Sequence, residues 1–373
     1  MRTLRLGDSF RWGLLLLCLL GTASVAIVEL TWGRSDGSQE QAIAASSQMQ
    51  AATETIAAHR SESGPALDSA ADLNGTGLIG AQFTSMTTTV GSLEAKRTTT
   101  NPNLAGLMVH LLDEAGVREG DFIGVGASGS FPGLILATLC AAEATGLDVG
   151  LIVSLGASQW GANLPSFTWL DIEDVVYGRG MLPYRSAAAT VGGDLDIGRD
   201  LDPETRALLR SRIDASGAIL IEDPDLASNV ATRMAIYREL AGDRRIAAFV
   251  NIGGAWANLG TDAAVLTLSP GLSYVEFLPP SGTRGVVYSM AGVGVPIIHL
   301  LNIKELAQRF GLPWDPSPLP EPASLHIEGR VRIRTGVVAL GGGYLGIVIA
   351  WLVWARLGRK RTAGLDESES QFR

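Results

Sequence analysis

The sequence predicts an α/β domain, a three-layer, mostly parallel sheet with helices on both faces, joined to N- and C-terminal transmembrane helices. Three observations predict it. Short runs that are apolar throughout, Phe122–Ala127, Val149–Ala157 and Ile246–Ile252 among them, alternate with longer segments of helical spacing. Strands without polar alternation are covered on both faces, as in parallel sheets. Several of these runs end in glycine-rich turns, the form of strand-to-helix connections. Lastly, the stretches 12–28 and 335–355 carry no charge, and ~20 apolar residues cross a bilayer.

The elements follow in chain order. Residues 1–34 are the N-terminal anchor. Arg2, Arg5 and Arg11 precede its apolar run and Asp36 and Glu40 follow it, which puts the N-terminus in the cytoplasm. A signal peptide cleaved near Ser24–Ala26 is the alternative; either way the central domain is extracytoplasmic. Residues 35–64, rich in Ala, Gln and Glu, read as a helical stalk or docking helix. The α/β domain spans 65–311. Its helices are Leu104–Ala115, Pro132–Thr145, Pro203–Ala215, Leu226–Ala241 and Ile297–Phe310, and Ala218–Ile221 and Val286–Ala291 add strands. Residues 312–334 begin with a stretch holding five prolines, a stiff spacer, and end in a basic juxtamembrane segment. The second span, 335–355, has Gly342 and Gly346 at GxxxG spacing, which admits another helix closely. Residues 356–373 form a cytoplasmic basic tail.

Composition narrows the function. The chain has 29 Lys and Arg against 38 Asp and Glu, net −9, and 2 Cys in 373 residues. A nucleic-acid partner needs a basic face and is excluded. A disulfide framework and a four-thiolate metal site are excluded by the cysteine count. The acidity is regional: residues 35–329 hold 17 Lys and Arg against 33 Asp and Glu, net −16, and the remainder is +7. Such a body repels a polyanion at long range, so any anionic ligand must be gripped locally. Asp194, Asp196, Asp200 and Asp202 lack the third liganding position and terminal Glu of a calcium loop. No metal and no cofactor is expected, and the glycine-rich turn has no Walker lysine.

Ligands of doubly wound sheets bind where strands end. Three such junctions stand out: residues 124–133 with Gly126, Ser128, Gly129 and Ser130; residues 251–260 with Asn251, Gly253, Gly254, Trp256 and Asn258; and residues 291–302 with His299 and Asn302. If their strands are neighbours, the three loops share one rim. Lys96 and Arg97 are the densest positive point of the outer body and suit a carboxylate or phosphate. Ser128 sits where a nucleophile elbow would, and the order Ser128, Asp223, His299 is that of α/β-hydrolases, although Ser130 replaces the last glycine of the elbow.

The strings TGLIGAQFTSMTTTVGSLEAKRTTTNP, GVGASGSFPGL, SLGASQWGANLPSFTWLDIE and VNIGGAWANLG resemble the bacterial poly-γ-glutamate system protein family over roughly residues 73–320. The resemblance implies a membrane-associated part of the machinery that makes or exports poly-γ-glutamate, with a poly-γ-glutamate ligase and membrane subunits as partners. It carries over no catalytic residues. Three readings stay open: an accessory component that binds the anionic polymer or its partner subunits through the glycine-rich loops with Lys96 and Arg97; a serine-dependent amidohydrolase or transferase acting on the γ-glutamyl chain; and a non-catalytic scaffold for the membrane subunits.

Overall fold

The computed structural model describes residues 13, 17–24, 36–322 and 341–353. The chain divides into two compact units, residues 38–329 and residues 1–37 together with 330–373. In the second of these, residues 17–24 and 341–353 are helical, and the Tyr344 hydroxyl donates to the Leu17 carbonyl at 3.2 Å. No helix among the described residues is long and apolar enough to cross a membrane. Eight residues of each of the two runs that carry the spanning expectation, 12–28 and 335–355, lie outside the described residues.

The larger unit begins with α1 (Asp36–Ser63). Ala45, Met49, Ala52 and Ile56 recur every three or four residues along it and are fully buried in the principal apolar cluster. One turn later the same stripe reaches Arg60, which is also buried. Its guanidinium donates to the carbonyls of Gly77 and Ile79, both at 2.9 Å, and to Pro65 and Ala66. Of the two readings of this segment, stalk or docking helix, the packing favours the second: α1 lies against the body because its small-residue stripe buries as a unit.

Short α2 (Leu93–Thr98) and α3 (Asn103–Glu114) lead into β1 (Phe122–Ser128). Then come α4 (Pro132–Ala144), β2 (Asp148–Ser154), α5 (Trp169–Gly178), β3 (Ser186–Thr190), α6 (Pro203–Ser216), β4 (Ile219–Leu220), α7 (Leu226–Ala241) and β5 (Ile246–Ile252). The last elements are α8 (Trp256–Leu259), β6 (Gly271–Ser273), α9 (Val286–Gly292), β7 (Ile297–Leu300) and α10 (Ile303–Arg309). Local chemistry sets several boundaries. Asp202 and Asp225 cap α6 and α7 by accepting from the amides of Thr205 and Ser228. Pro132 occupies the first turn of α4, where its missing N–H costs nothing.

The strands form one seven-stranded sheet in the order β4-β3-β2-β1-β5-β7-β6, parallel except for β6. Chain order runs outward from β1 on one side and resumes at β5 on the other, so the topological switch lies between β1 and β5. Register places Ser128 beside Ser154, Ala127 beside Ile252, and Asn251 beside His299. The faces are separately packed. Leu151 and Val153 of β2 join the cluster of α1, α3 and α4, while Ile152 between them joins that of α7 and α9. Helices thus cover both faces of the sheet, as its apolar strands require.

Two expected elements are exchanged. Val286–Ala291 belongs to a helix, and Ile297–Phe310 divides into β7 and α10. Four residues of the latter run complete the sheet beside β5 instead of coiling. As a result residues 292–296 lie before β7, at the opposite edge of the sheet from the other two loops. The rim receives residues 301–304 instead. The proline-rich stretch also differs from a free spacer: Asp315 N donates to Thr98 Oγ1, and the Pro316 and Glu321 carbonyls accept from Asn74 and Asn103, which straps residues 312–322 onto the body.

Candidate functional site at the carboxyl edge of the sheet

A cleft of about 980 Å³ opens over the ends of β1, β2 and β5, at the topological switch. Such a position is where open α/β sheets bind ligands. Ser128 and Ser130 supply its floor, with Ser154 and Ser158 from the end of β2 and the turn beyond it. Thr88 to Lys96, with α2, form one wall. Gly193 to Asp200, Gly254 to Trp256, and Leu301 to Lys304 with Trp314 form the rest.

Lys96 governs the electrostatics. Ser92 caps α2 by accepting from Ala95 N at 3.1 Å, and the turn that follows aims Lys96 inward. The side chain is buried, and Nζ donates to the Ser130 carbonyl at 2.5 Å and the Ser158 hydroxyl at 2.8 Å. It lies over the Phe131 ring, 3.5 Å from the centroid. No carboxylate among the described residues pairs with it. Burial alone pulls the ammonium down to about 7, because low dielectric penalises the charged form. The hydroxyls around it are linked: Ser128 Oγ donates to Ser130 Oγ at 3.0 Å, which also accepts from Ser158 N at 2.9 Å.

Beneath the cleft lies a buried ion pair. Asp196 accepts from Arg233 Nη2 at 2.9 Å and from Ala257 N at 3.1 Å on one oxygen, and from Ser154 Oγ at 2.9 Å on the other. Arg233 also donates to Asn229 Oδ1 at 2.9 Å. Leu195 and Asp196 stand at φ 56° and 61°, a left-handed conformation that side chains adopt only where the surroundings impose it. The network ties the loop after β3 to β2, α7 and the start of α8, so the floor of the cleft is rigidly held.

The residues singled out from sequence distribute as follows. Lys96, Ser128, Ser130, Gly254 and Trp256 line the cleft. Gly126 and Asn258 lie below it: a Cβ on Gly126 would stand 2.6 Å from Asn258 Nδ2, so only glycine lets that amide approach β1. Gly129 is held by its amide on the Ser154 carbonyl at 2.8 Å. Gly253 turns at φ 76°, with Ser128 Cβ 3.2 Å from where its own Cβ would be. Asn251 is buried in the sheet, its Nδ2 on the Gly253 carbonyl and against His299 Nδ1 at 3.2 Å. Arg97, expected as an anion ligand, is not among the residues lining the cleft and grips Asp315 in a two-pronged ion pair at 2.6 and 2.5 Å.

Ser128, Asp223 and His299 do not form a triad. Asp223 follows edge strand β4, Ser128 ends central β1 and His299 lies within β7. With strands ~4.8 Å apart, Ser128 and Asp223 are separated by about 14 Å of sheet. Each has other partners: the Asp223 carboxylate accepts from Asp225 N at 2.9 Å, and His299 meets Asn251. Burial lowers His299 to about 4, so it is a neutral core imidazole at ordinary pH.

Sequence reasoning missed Ser158, Ser154, Asp196 and Arg233 as participants. Asp196 was visible only as one carboxylate of an acidic turn, and nothing local joins it to an arginine 37 residues on. Among the described residues no group of three or more His, Cys, Asp or Glu is placed to hold a metal ion. Comparison with protein-family models, curated proteins and solved structures finds no match to this chain.

Proposed function

We propose that this chain is a membrane-anchored accessory component of poly-γ-glutamate synthesis or export, and that its outer α/β body holds the γ-linked polymer in the cleft around Lys96. One observation carries the binding part: a buried amine with no carboxylate partner among the described residues, set among hydroxyls in an open cleft. Each γ-linked glutamate presents one carboxylate and one amide. A carboxylate arriving beside Lys96 restores the charge that burial removes, and the Ser and Thr hydroxyls suit the amide. The local grip answers the repulsion expected of the −16 outer body. The pathway rests on the sequence resemblance, and the anchoring on the uncharged runs 12–28 and 335–355. The ligase and membrane subunits are the partners this reading names.

The test is binding of a size-defined γ-linked glutamate oligomer to the full chain in detergent, read by intrinsic tryptophan fluorescence, to which Trp256 and Trp314 at the cleft contribute. The reading expects saturable binding that Lys96→Ala weakens about tenfold or more, in the range of a charge-assisted hydrogen bond. Equal binding by the variant, or no binding by the parent, overturns it. Polymer output from cells with and without the chain, beside the ligase, tests the pathway.

A further inference from the structure

The surroundings of Lys96 ask for more than an anion clamp. A lysine buried to hold two loops together ordinarily finds a carboxylate, since an unpaired ammonium is costly away from water. Here Nζ touches a carbonyl, a hydroxyl and a ring face. The hydroxyl belongs to Ser158, whose own backbone N–H is fixed on Ser130 Oγ at 2.9 Å. Among the described residues Lys96 and Lys304 are the lysines, and Lys304 is exposed above Trp314. Ser128, the serine that the hydrolase order favours, commits its hydroxyl to Ser130 and meets no base.

We propose that Ser158 and Lys96 form a nucleophile–base pair for acyl transfer, with Ser158 Oγ attacking an amide carbonyl bound in the cleft. That the amide is a γ-glutamyl linkage rests on the reading above; the pairing of the two side chains does not. The 2.8 Å contact is within the reach that proton transfer needs. An amine whose burial draws it to about 7 is part neutral at ordinary pH and, at the moment when an amide and not a carboxylate of the chain lies against it, free to accept a proton. The step then balances. Nζ takes the Ser158 proton as Oγ bonds to the carbonyl carbon. The carbon–nitrogen bond breaks, and the departing nitrogen receives that proton from Lys96. An ester on Ser158 and a free amine remain. Water attacks the ester, passes its proton to Nζ and thence to Ser158 Oγ, and leaves a carboxylic acid; an amine in place of water gives transfer instead of hydrolysis. The charged groups that line the cleft with the pair are Glu94 on α2, Asp194, Asp196 and Asp200 after β3, and Lys304 on α10.

The experiment treats the full chain in detergent with a fluorophosphonate and locates the adduct by peptide mass spectrometry. The proposal expects modification of Ser158, a rate that climbs with pH through an inflection near 7, and a loss of about a hundredfold or more in Lys96→Met. Ser158→Ala, with folding checked by circular dichroism, is expected to abolish the adduct, and Asp223→Ala to keep it. An adduct on another residue, a Ser158 rate flat in pH, or no adduct on a folded chain overturns the pair. Incubation with γ-linked glutamate oligomers, read as newly freed amino groups, separates the two claims. Oligomer binding without a Ser158 adduct overturns the pair and leaves the binding reading. A Ser158 adduct without freed amines overturns the γ-glutamyl assignment and leaves the pair.

Discussion

Arg233 Nη2 donates to Asp196 Oδ2 at 2.9 Å, and neither side chain has any contact with solvent. The pair joins a helix on one face of the sheet to a left-handed turn at its carboxyl edge, directly under the cleft. Removing one partner strands the other charge out of water. Arg233→Met is expected to cost roughly 3–5 kcal/mol in denaturant unfolding, and the double change with Asp196→Asn to cost less than that single one. A double variant less stable than Arg233→Met would show that the pair does not act as a unit.

His299 contributes acid sensitivity. Its folded value near 4 lies below the ordinary 6.5, so between those limits the unfolded chain binds the proton more readily. Stability rises with pH through that window and is lost as pH falls from 6.5 towards 4. His299→Asn is expected to flatten the slope of unfolding free energy between pH 4 and 6.5, measured by urea titration at several pH values.

Gly126 has no room for a side chain. A methyl there would meet Asn258 Nδ2 at 2.6 Å and the Phe249 ring at 2.8 Å. Gly126→Ala is expected to destabilise by about 1–3 kcal/mol. Because Asn258 Oδ1 faces Arg233 at 3.4 Å, the same change should also weaken oligomer binding, whereas Gly217→Ala at the exposed end of α6 should affect stability alone.

Arg97 serves the strap and not the cleft. Arg97→Ala is expected to lower stability by about 1–3 kcal/mol and to expose residues 312–322 to limited proteolysis. Oligomer affinity should change far less than in Lys96→Ala. Comparable losses of affinity in both variants would return Arg97 to the ligand.

Much of the framework was legible because uniformly apolar strands and capped helices announce themselves. Leu226–Ala241 and Ile246–Ile252 have the bounds read from sequence. β3 escaped notice because Ser186–Thr190 is built of Ser, Ala and Thr, small residues with weak strand preference, and its burial comes from the neighbours. The run 297–310 read as one helix because its apolar residues fit helical spacing; only pairing with β5 makes Ile297–Leu300 a strand. In the cleft, the glycine turns pointed to Ser128 and Ser130. Ser158 lies 62 residues from Lys96, and they meet because the segment before α2 bonds along the turn after β2, Thr88 N on the Ala157 carbonyl and Gln159 N on the Thr89 carbonyl, a pairing no local pattern announces.

Lys96 and Arg97 are consecutive on α2, and their side chains leave it in opposite directions. One reaches the hydroxyls of the cleft, the other the strap at Asp315. A force drawing on residues 312–322 therefore arrives at the amine through a single peptide unit, and load on that segment is expected to be felt as a displacement of the buried nitrogen in the cleft.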